Sequence, residues 1–251
     1  MRIVINGGTG LIGSRTVARL RSAGHDAVAA SPQSGINSVT GEGLAEAMKG
    51  AQAIVDLSNS PSWEDAAVLE FFQKSTGNLL AAAKANDVKH YVALSVVGTD
   101  RLQASGYFVA KLAQETLIKR SGVPYTIVHA TQFFDLLDFL VKSWGLSDKV
   151  VVPAARIQPI APNDVADVMA EVALAAPRKG TLEIAGPERF HIRDLIAKYL
   201  AATGDGRTVE TSAEALYSGA RLEDTTLVSD RNPRLGKIDF DQWFQSRSKT
   251  A

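Results

Sequence analysis

An α/β fold built on a doubly wound parallel sheet is predicted by three observations. The chain opens on a β-branched apolar run, Ile3-Val4-Ile5, which passes through glycines straight into a helix-spaced segment. That run is continuous rather than alternating, as a strand buried on both faces is. Strand-like and helix-like stretches then alternate five times up to about residue 130, the pattern of a parallel sheet with crossover helices.

The opening turn is Gly7-x-x-Gly10-x-x-Gly13, followed by Leu11, Ile12, Val17, Ala18 and Leu20 at helical spacing up to Gly24. Each glycine has a separate physical role in such a strand–turn–helix. Gly7 permits the tight turn, Gly10 removes a Cβ where a pyrophosphate approaches the backbone, and Gly13 lets the helix pack against the sheet. The free N–H groups and positive dipole end of the helix would face the phosphates. Gly7, Thr9, Gly10, Leu11, Ile12 and Gly13 are therefore candidate dinucleotide-binding residues.

Composition narrows the function classes. Lys+Arg and Asp+Glu both number 27, so no basic excess points to nucleic acid and no polybasic run to an anionic membrane. The absence of cysteine excludes disulfides, thiol nucleophiles and thiolate metal sites. His25, His90, His129 and His191 are scattered, with no metal-pair spacing. The first strand begins at once, so no signal peptide is expected, and no apolar run approaches the ~20 residues of a membrane helix. The expectation is a cytoplasmic protein acting on a small molecule, with no metal.

Asp26 to Ala30 reads as the second strand, ending at Ser31-Pro32-Gln33-Ser34-Gly35. The residue closing this strand meets the adenosine ribose. An acid there would select NAD, by accepting from the 2′-hydroxyl and repelling a 2′-phosphate. Ser31 stands there instead, with Ser34 behind it and Arg15 in the first helix as a nearby positive charge, so NADP is the expected coenzyme and NAD the alternative. Ala51 to Leu57 is the third strand, and Asp56, Leu57 and Ser58 at its end are candidates to line the adenine and ribose side. Ser62 reads as a cap, with Asp65 three residues on, for a helix from about Ala66 to Ala85. His90 to Val97 is the fourth strand, Tyr107 opens a helix to about Ser121, and Pro124 to Ala130 is the fifth strand.

Beyond Ala130 the rhythm loosens. An amphipathic helix is expected over Leu136 to Trp144. Short strands are expected at Val150–Pro153 and Ile157–Ile160, and a helix capped by Asn163 or Asp164. A strand at Thr181–Ala185 and a helix at His191–Ala202 follow. This organisation predicts a single domain over 1–251. Its dinucleotide-binding core covers 1–130, and the remaining core elements and a substrate cap cover 131–251. The helix faces around 66–85 and 107–121 are candidate surfaces for a homodimer.

Tyr107 and Lys111 are four apart on one helix and share a face, and Ser95 lies near the end of the strand before them. This set suits hydride transfer to a carbonyl, whose developing alkoxide needs a proton and hydrogen-bond donors. Tyr107 would be the acid/base. Lys111 would lower the phenol pKa and hold ribose hydroxyls. Ser95 would orient the substrate oxygen. Gln132, Phe133 and Phe134 follow the fifth strand and are candidate substrate-wall residues, with core packing the competing reading for the two phenylalanines. Trp63 reads either as a cover over the nicotinamide or as helix-start packing. His129 reads as a substrate contact or as a strand-end side chain satisfied by backbone.

Gly7-Gly8-Thr9-Gly10-Leu11-Ile12-Gly13, Ser95, Tyr107-x-x-x-Lys111 and Val123-Pro124-Tyr125-Thr126-Ile127 together resemble the short-chain dehydrogenase/reductase superfamily. The resemblance is nearest to its atypical NmrA-like branch of NAD(P)H-binding proteins. Ile160-Ala161-Pro162-Asn163-Asp164-Val165-Ala166 and Ile184-Ala185-Gly186-Pro187-Glu188 extend it to about residue 200. It implies a Rossmann-type fold with bound NAD(P) and, for a chain that keeps Tyr and Lys, reductase activity on a carbonyl or quinone-like substrate. Members of the branch that have lost the tyrosine act as nucleotide sensors, and a cofactor-recycling epimerase or dehydratase is a further alternative. His129-Ala130 departs from the Arg-Pro common after strand five in the wider family.

Overall fold

The computed structural model describes residues 1–247. Its first strand, β1 (Arg2–Asn6), is the buried run read from sequence, with Ile3, Val4 and Ile5 fully inaccessible. The chain then alternates: α1 (Leu11–Ser22), β2 (Asp26–Ala30), α2 (Leu44–Ala47), β3 (Ala53–Asp56), α3 (Asp65–Ala85), β4 (His90–Val96), α4 (Gly106–Arg120) and β5 (Tyr125–Ala130). After it come α5 (Leu137–Ser143), β6 (Lys149–Val152), β7 (Arg156–Ile157), α6 (Pro162–Leu174), β8 (Gly180–Ala185), β9 (Phe190–His191), α7 (Ile192–Thr203), β10 (Thr208–Thr211), β11 (Arg234–Leu235) and α8 (Phe240–Arg247).

The central parallel sheet has seven strands in the order β11-β8-β5-β4-β3-β1-β2. β1 carries parallel partners on both sides, with Asn6 opposite Ala30 of β2 and Asp56 of β3. The strand order reverses at β1, and such a switch point is where open α/β sheets gather ligands. Two short two-stranded sheets, parallel β10-β6 and antiparallel β7-β9, lie outside it.

The chain divides into two compact units. The first holds residues 1–95, 106–129 and 165–182. In it α3 buries Val68, Phe72, Ser75, Thr76, Leu79, Leu80 and Ala83, a stripe at three- and four-residue spacing, and packs along α4. Leu79, Leu80 and Ala83 join Val4, Ile54, Tyr91, Ile118 and Ile127 in one core. The second unit holds residues 96–105 and 130–164 and the chain from Glu183 onward. Its aromatic cluster stacks Phe134 on Trp243 at 5.1 Å between centroids, with Phe240 edge-on at 5.9 Å.

Three local expectations shift, each for a physical reason. Ser62 does not cap α3: the helix starts after Glu64, and the Ser62 hydroxyl accepts from the Glu64 amide one turn earlier, at 3.1 Å. Asp164 lies inside α6 and not at its cap. Pro162 opens that helix, where a missing N–H costs nothing, and the Asp164 carboxylate accepts from the amides of Lys237 and Ile238 at 2.9 Å. The strand expected over Ile157–Ile160 stops at Ile157, because Pro159 has no N–H to donate.

Candidate coenzyme and active site

The glycines of the opening turn divide by what surrounds them. A Cβ on Gly13 would lie 2.0 Å from the Gly7 carbonyl oxygen, and one on Gly7 would lie 2.8 Å from the Leu57 carbonyl oxygen. Both positions are fixed by the protein's own packing, and Gly7 also has φ of 75°. Gly10 differs. It is exposed, and a Cβ there would meet only the Gly7 oxygen at 3.3 Å. Its missing side chain therefore leaves room for something outside the fold. Gly10 is also the N-cap of α1, where no side chain caps the helix and no acid sits in the first turn. That end is electropositive and open, as an anion site requires. Thr9 and Leu11 flank it and are exposed, while Ile12 is buried under the helix.

At the end of β2, Ser31 is 4% exposed, and among the described residues its hydroxyl has no hydrogen-bond partner. Ser34 accepts from the Ser31 amide at 3.0 Å and reaches the carbonyl oxygens of Ala29 and Ser31. Arg15 donates to the Leu11 carbonyl at 2.6 Å. The open Gly10 and the orphaned Ser31 hydroxyl are what a dinucleotide lying along this turn needs.

Asp56 is placed differently from its neighbours Leu57 and Ser58. It is 1% exposed, and both carboxylate oxygens are taken by internal donors. Oδ1 accepts from Asn6 at 2.9 Å and from the Ser58 hydroxyl at 2.7 Å. Oδ2 accepts from the Tyr91 hydroxyl at 2.8 Å and the Gln114 amide at 3.0 Å. Its role in the structure is to tie the ends of β1 and β3 to Tyr91 of β4 and to α4. Leu57 and Ser58 are half-buried.

The buried residues of α4 are Phe108, Ala110, Lys111, Gln114, Glu115 and Ile118. Three of these six are polar. Lys111 donates to the Leu94 carbonyl at 2.9 Å and to the Gln114 amide oxygen at 2.5 Å, and stands 4.6 Å over the centre of the Phe72 ring. Burial brings its ammonium down to about 8, with Asp56 and Glu115 pulling the other way. Tyr107, one turn earlier, packs among Phe72, Phe108 and Trp63, with ring centroids at 6.3, 5.4 and 5.7 Å. Burial raises its phenol to about 12. The expected lowering by Lys111 is absent from this arrangement, because the ammonium is turned to Leu94, Gln114 and Phe72. Trp63 is 62% exposed beside Tyr107.

Ser95 is buried and donates its single proton to Glu115 at 2.7 Å. His129 bonds the same Glu115 oxygen at 2.7 Å, and Lys119 bonds the other at 2.9 Å. Burial alone would raise the Glu115 carboxyl, but His129, Lys119 and Ser95 together bring it to about 2. His129 is thus satisfied by a carboxylate and not by backbone. The carboxylate lies between serine and histidine, so the histidine has no path to the serine proton, and the trio is not a hydrolytic triad.

Gln114 and Glu115 were not singled out from sequence. The available signal was polar residues recurring at core spacing on α4. In the second unit, Phe134 is fully buried in the aromatic cluster and Phe133 is half-buried. Gln132 is 4% exposed, and among the described residues neither its amide nitrogen nor its oxygen has a partner. No group of three metal-ligating side chains occurs among the described residues, and no helix among them is long and apolar enough to cross a membrane.

Comparison with known proteins follows the same lines. The family described as NAD(P)H-binding matches residues 7–176. The photosystem II assembly factor Ycf39 of Cyanophora paradoxa is 30% identical over 93 residues, which span 37% of this chain and only 29% of that protein. Among solved structures, MoeE5 in complex with UDP-glucose and NAD superposes with a TM-score of 0.76 over the whole of both chains at 16% identity. A UDP-glucose 4-epimerase of Thermus thermophilus in complex with NAD superposes with a TM-score of 0.71 at 16% identity, covering 98% of this chain and 97% of that one. The GDP-mannoheptose C4 reductase MlghC of Campylobacter jejuni, with NADP bound, has a TM-score of 0.70 at 14% identity, covering 99% and 97%. At these identities the likeness is one of fold.

Proposed function

The chain belongs to the NAD(P)H-binding family, in the short-chain dehydrogenase/reductase superfamily, and from that premise we propose that it is a reductase of small carbonyl or quinone-like substrates that prefers NADPH. The observation that carries this reading is the face of α4, where Tyr107 and Lys111 lie one turn apart with Phe72 against both. Thr9, Gly10, Leu11 and Ile12 would cradle the pyrophosphate, Gly7 and Gly13 would hold the turn in the shape that allows it, and Ser31, Ser34 and Arg15 would stand at the adenosine ribose. Leu57 and Ser58 would line the adenine side. Asp56 would act from behind them through Ser58. When bound, the reduced coenzyme supplies the hydride.

The chain's own residues do the rest. Tyr107 gives its phenolic proton to the substrate oxygen as negative charge develops there. Lys111 would hold ribose hydroxyls, and on leaving Leu94 and Gln114 for that role its positive charge would favour the phenolate left behind. Trp63, exposed beside Tyr107, offers a flat apolar face to a planar substrate. Ser95 joins by turning its one proton from Glu115 to the substrate oxygen. Gln132 and Phe133 would supply the substrate side, with Phe134 supporting them from the core.

The test is a screen of aldehydes, ketones and quinones, followed by loss of reduced-nicotinamide absorbance. Tyr107→Phe is expected to lower turnover about 100-fold or more while NADPH still binds. Parental turnover by that variant overturns the assignment. A second reading, a nucleotide sensor without turnover, is favoured by one observation: the Lys111 amine already has partners in Leu94, Gln114 and Phe72. It predicts NADPH binding with no oxidation across the whole panel.

A further inference from the structure

We propose that Gln114 is a positioning residue that stands between the buried Asp56 carboxylate and the Lys111 ammonium, holding the amine at the Leu94 carbonyl and preventing a direct ion pair. The inference rests on the reductase reading only for the use made of Lys111; the bridge itself is geometric.

The Gln114 amide is engaged at both ends. Its nitrogen donates to Asp56 Oδ2 at 3.0 Å, and its oxygen accepts from Lys111 Nζ at 2.5 Å. Gln114 is 1% exposed, Asp56 1% and Lys111 2%, so water does not screen the three groups. The amide has one possible orientation. Flipping it would set NH2 against an ammonium and C=O against a carboxylate, two repulsions in a medium of low dielectric. Asp56 is itself held by hydrogen bonds from Asn6, Ser58 and Tyr91.

Lys111 is thereby fixed by a neutral group and not by a charge. A direct Asp56–Lys111 pair would bind the ammonium tightly and keep it facing inward. Through the amide the amine keeps its place with a weaker hold, and burial leaves it titrating at about 8. The charged groups around it are Asp56 on β3 and Glu115 on its own helix. Tyr107 lies one turn away, and the Phe72 face of α3 covers the remaining side. An amine held in this way can exchange a partner for a ribose hydroxyl or respond to a phenolate.

The experiment follows the Lys111 side chain by NMR in the nucleotide-free full chain, using labelled lysine and assigning its signal by loss in Lys111→Met. Gln114→Glu, of the same size, replaces the neutral bridge with a charge and is expected to raise the Lys111 titration by a unit or more. Asp56→Asn removes the charge behind the bridge and is expected to lower it by half a unit or more. Loosened packing would not move the two variants in opposite directions. NADPH affinity, read by coenzyme fluorescence, is expected to fall about tenfold in Gln114→Glu. A Lys111 titration that stays within 0.3 units of the parent in both variants overturns the bridge. Should either variant not fold, the other decides alone by its sign. Shifts as expected in a protein that turns nothing over would defeat the reductase reading and leave the bridge standing. Turnover without the shifts would do the reverse.

Discussion

Gly13 packs so closely on Gly7 that a β-carbon at position 13 would stand 2.0 Å from the Gly7 carbonyl oxygen, whereas one at Gly10 would meet that oxygen at 3.3 Å and nothing else. The two glycines therefore separate folding from binding. Gly13→Ala forces backbone apart and is expected to destabilise the chain by about 1–3 kcal/mol, measured by urea denaturation. Gly10→Ala is expected to melt within about 2 °C of the parent and to bind NADPH at least tenfold more weakly. Equal loss of stability in both variants would remove the distinction.

Ser31 closes β2 with a buried hydroxyl that no described residue engages. If that hydroxyl helps hold a 2′-phosphate, a carboxylate in its place repels the phosphate and accepts from a 2′-hydroxyl instead. Ser31→Asp is expected to weaken NADPH by more than tenfold while NADH is unchanged or improved. The ratio of the two dissociation constants is the measurement. A ratio that does not move places coenzyme choice elsewhere.

The sheet and its glycine turn were legible because local signals and global packing agree there. Ile3-Val4-Ile5 needs two neighbouring strands, and Gly7-x-x-Gly10-x-x-Gly13 needs a helix behind it. Asp56 was legible as a strand end, but not as the acceptor for Asn6, Ser58, Tyr91 and Gln114. Those donors come from β1, the chain after β3, β4 and α4, and only the folded chain gathers them. Lys111 and Tyr107 were visible by their spacing. Gln114 and Glu115 lie on the same stripe, where amphipathic reasoning expects apolar residues. Polar side chains at core spacing on a helix were the readable sign. Their partners across the sheet were not.

The Lys111 ammonium also predicts an unusual stability profile. Its folded value, about 8, lies below its ordinary 10.5. The unfolded chain therefore binds the proton more tightly, and stability rises with pH between those two values. Below about 8 the cost of a buried ammonium is fully present. The Tyr107 phenol works in the opposite sense, but only above its ordinary value of 10. Urea denaturation from pH 7.5 to 9.5 is expected to show a gain on the order of 1–2 kcal/mol. Lys111→Met should lose that pH dependence. A flat parental profile would show that the ammonium is solvated.

Gln132 makes the last prediction, because its amide is buried and, among the described residues, without a partner at either end. Burying such a group without a partner costs about 1–3 kcal/mol, so it weakens the free protein unless something outside the fold completes it. A substrate that offers both an acceptor and a donor edge would do so. Gln132→Leu removes the unpaired atoms and keeps the volume close. It is expected to melt at the parental temperature or higher, while KM for the substrate rises about tenfold and NADPH binding is unchanged. If the amide instead has a purely internal role, the variant melts lower and KM stays put. The two readings therefore separate on one thermal melt and one titration, and a fall in melting temperature with an unaltered KM removes Gln132 from the substrate site.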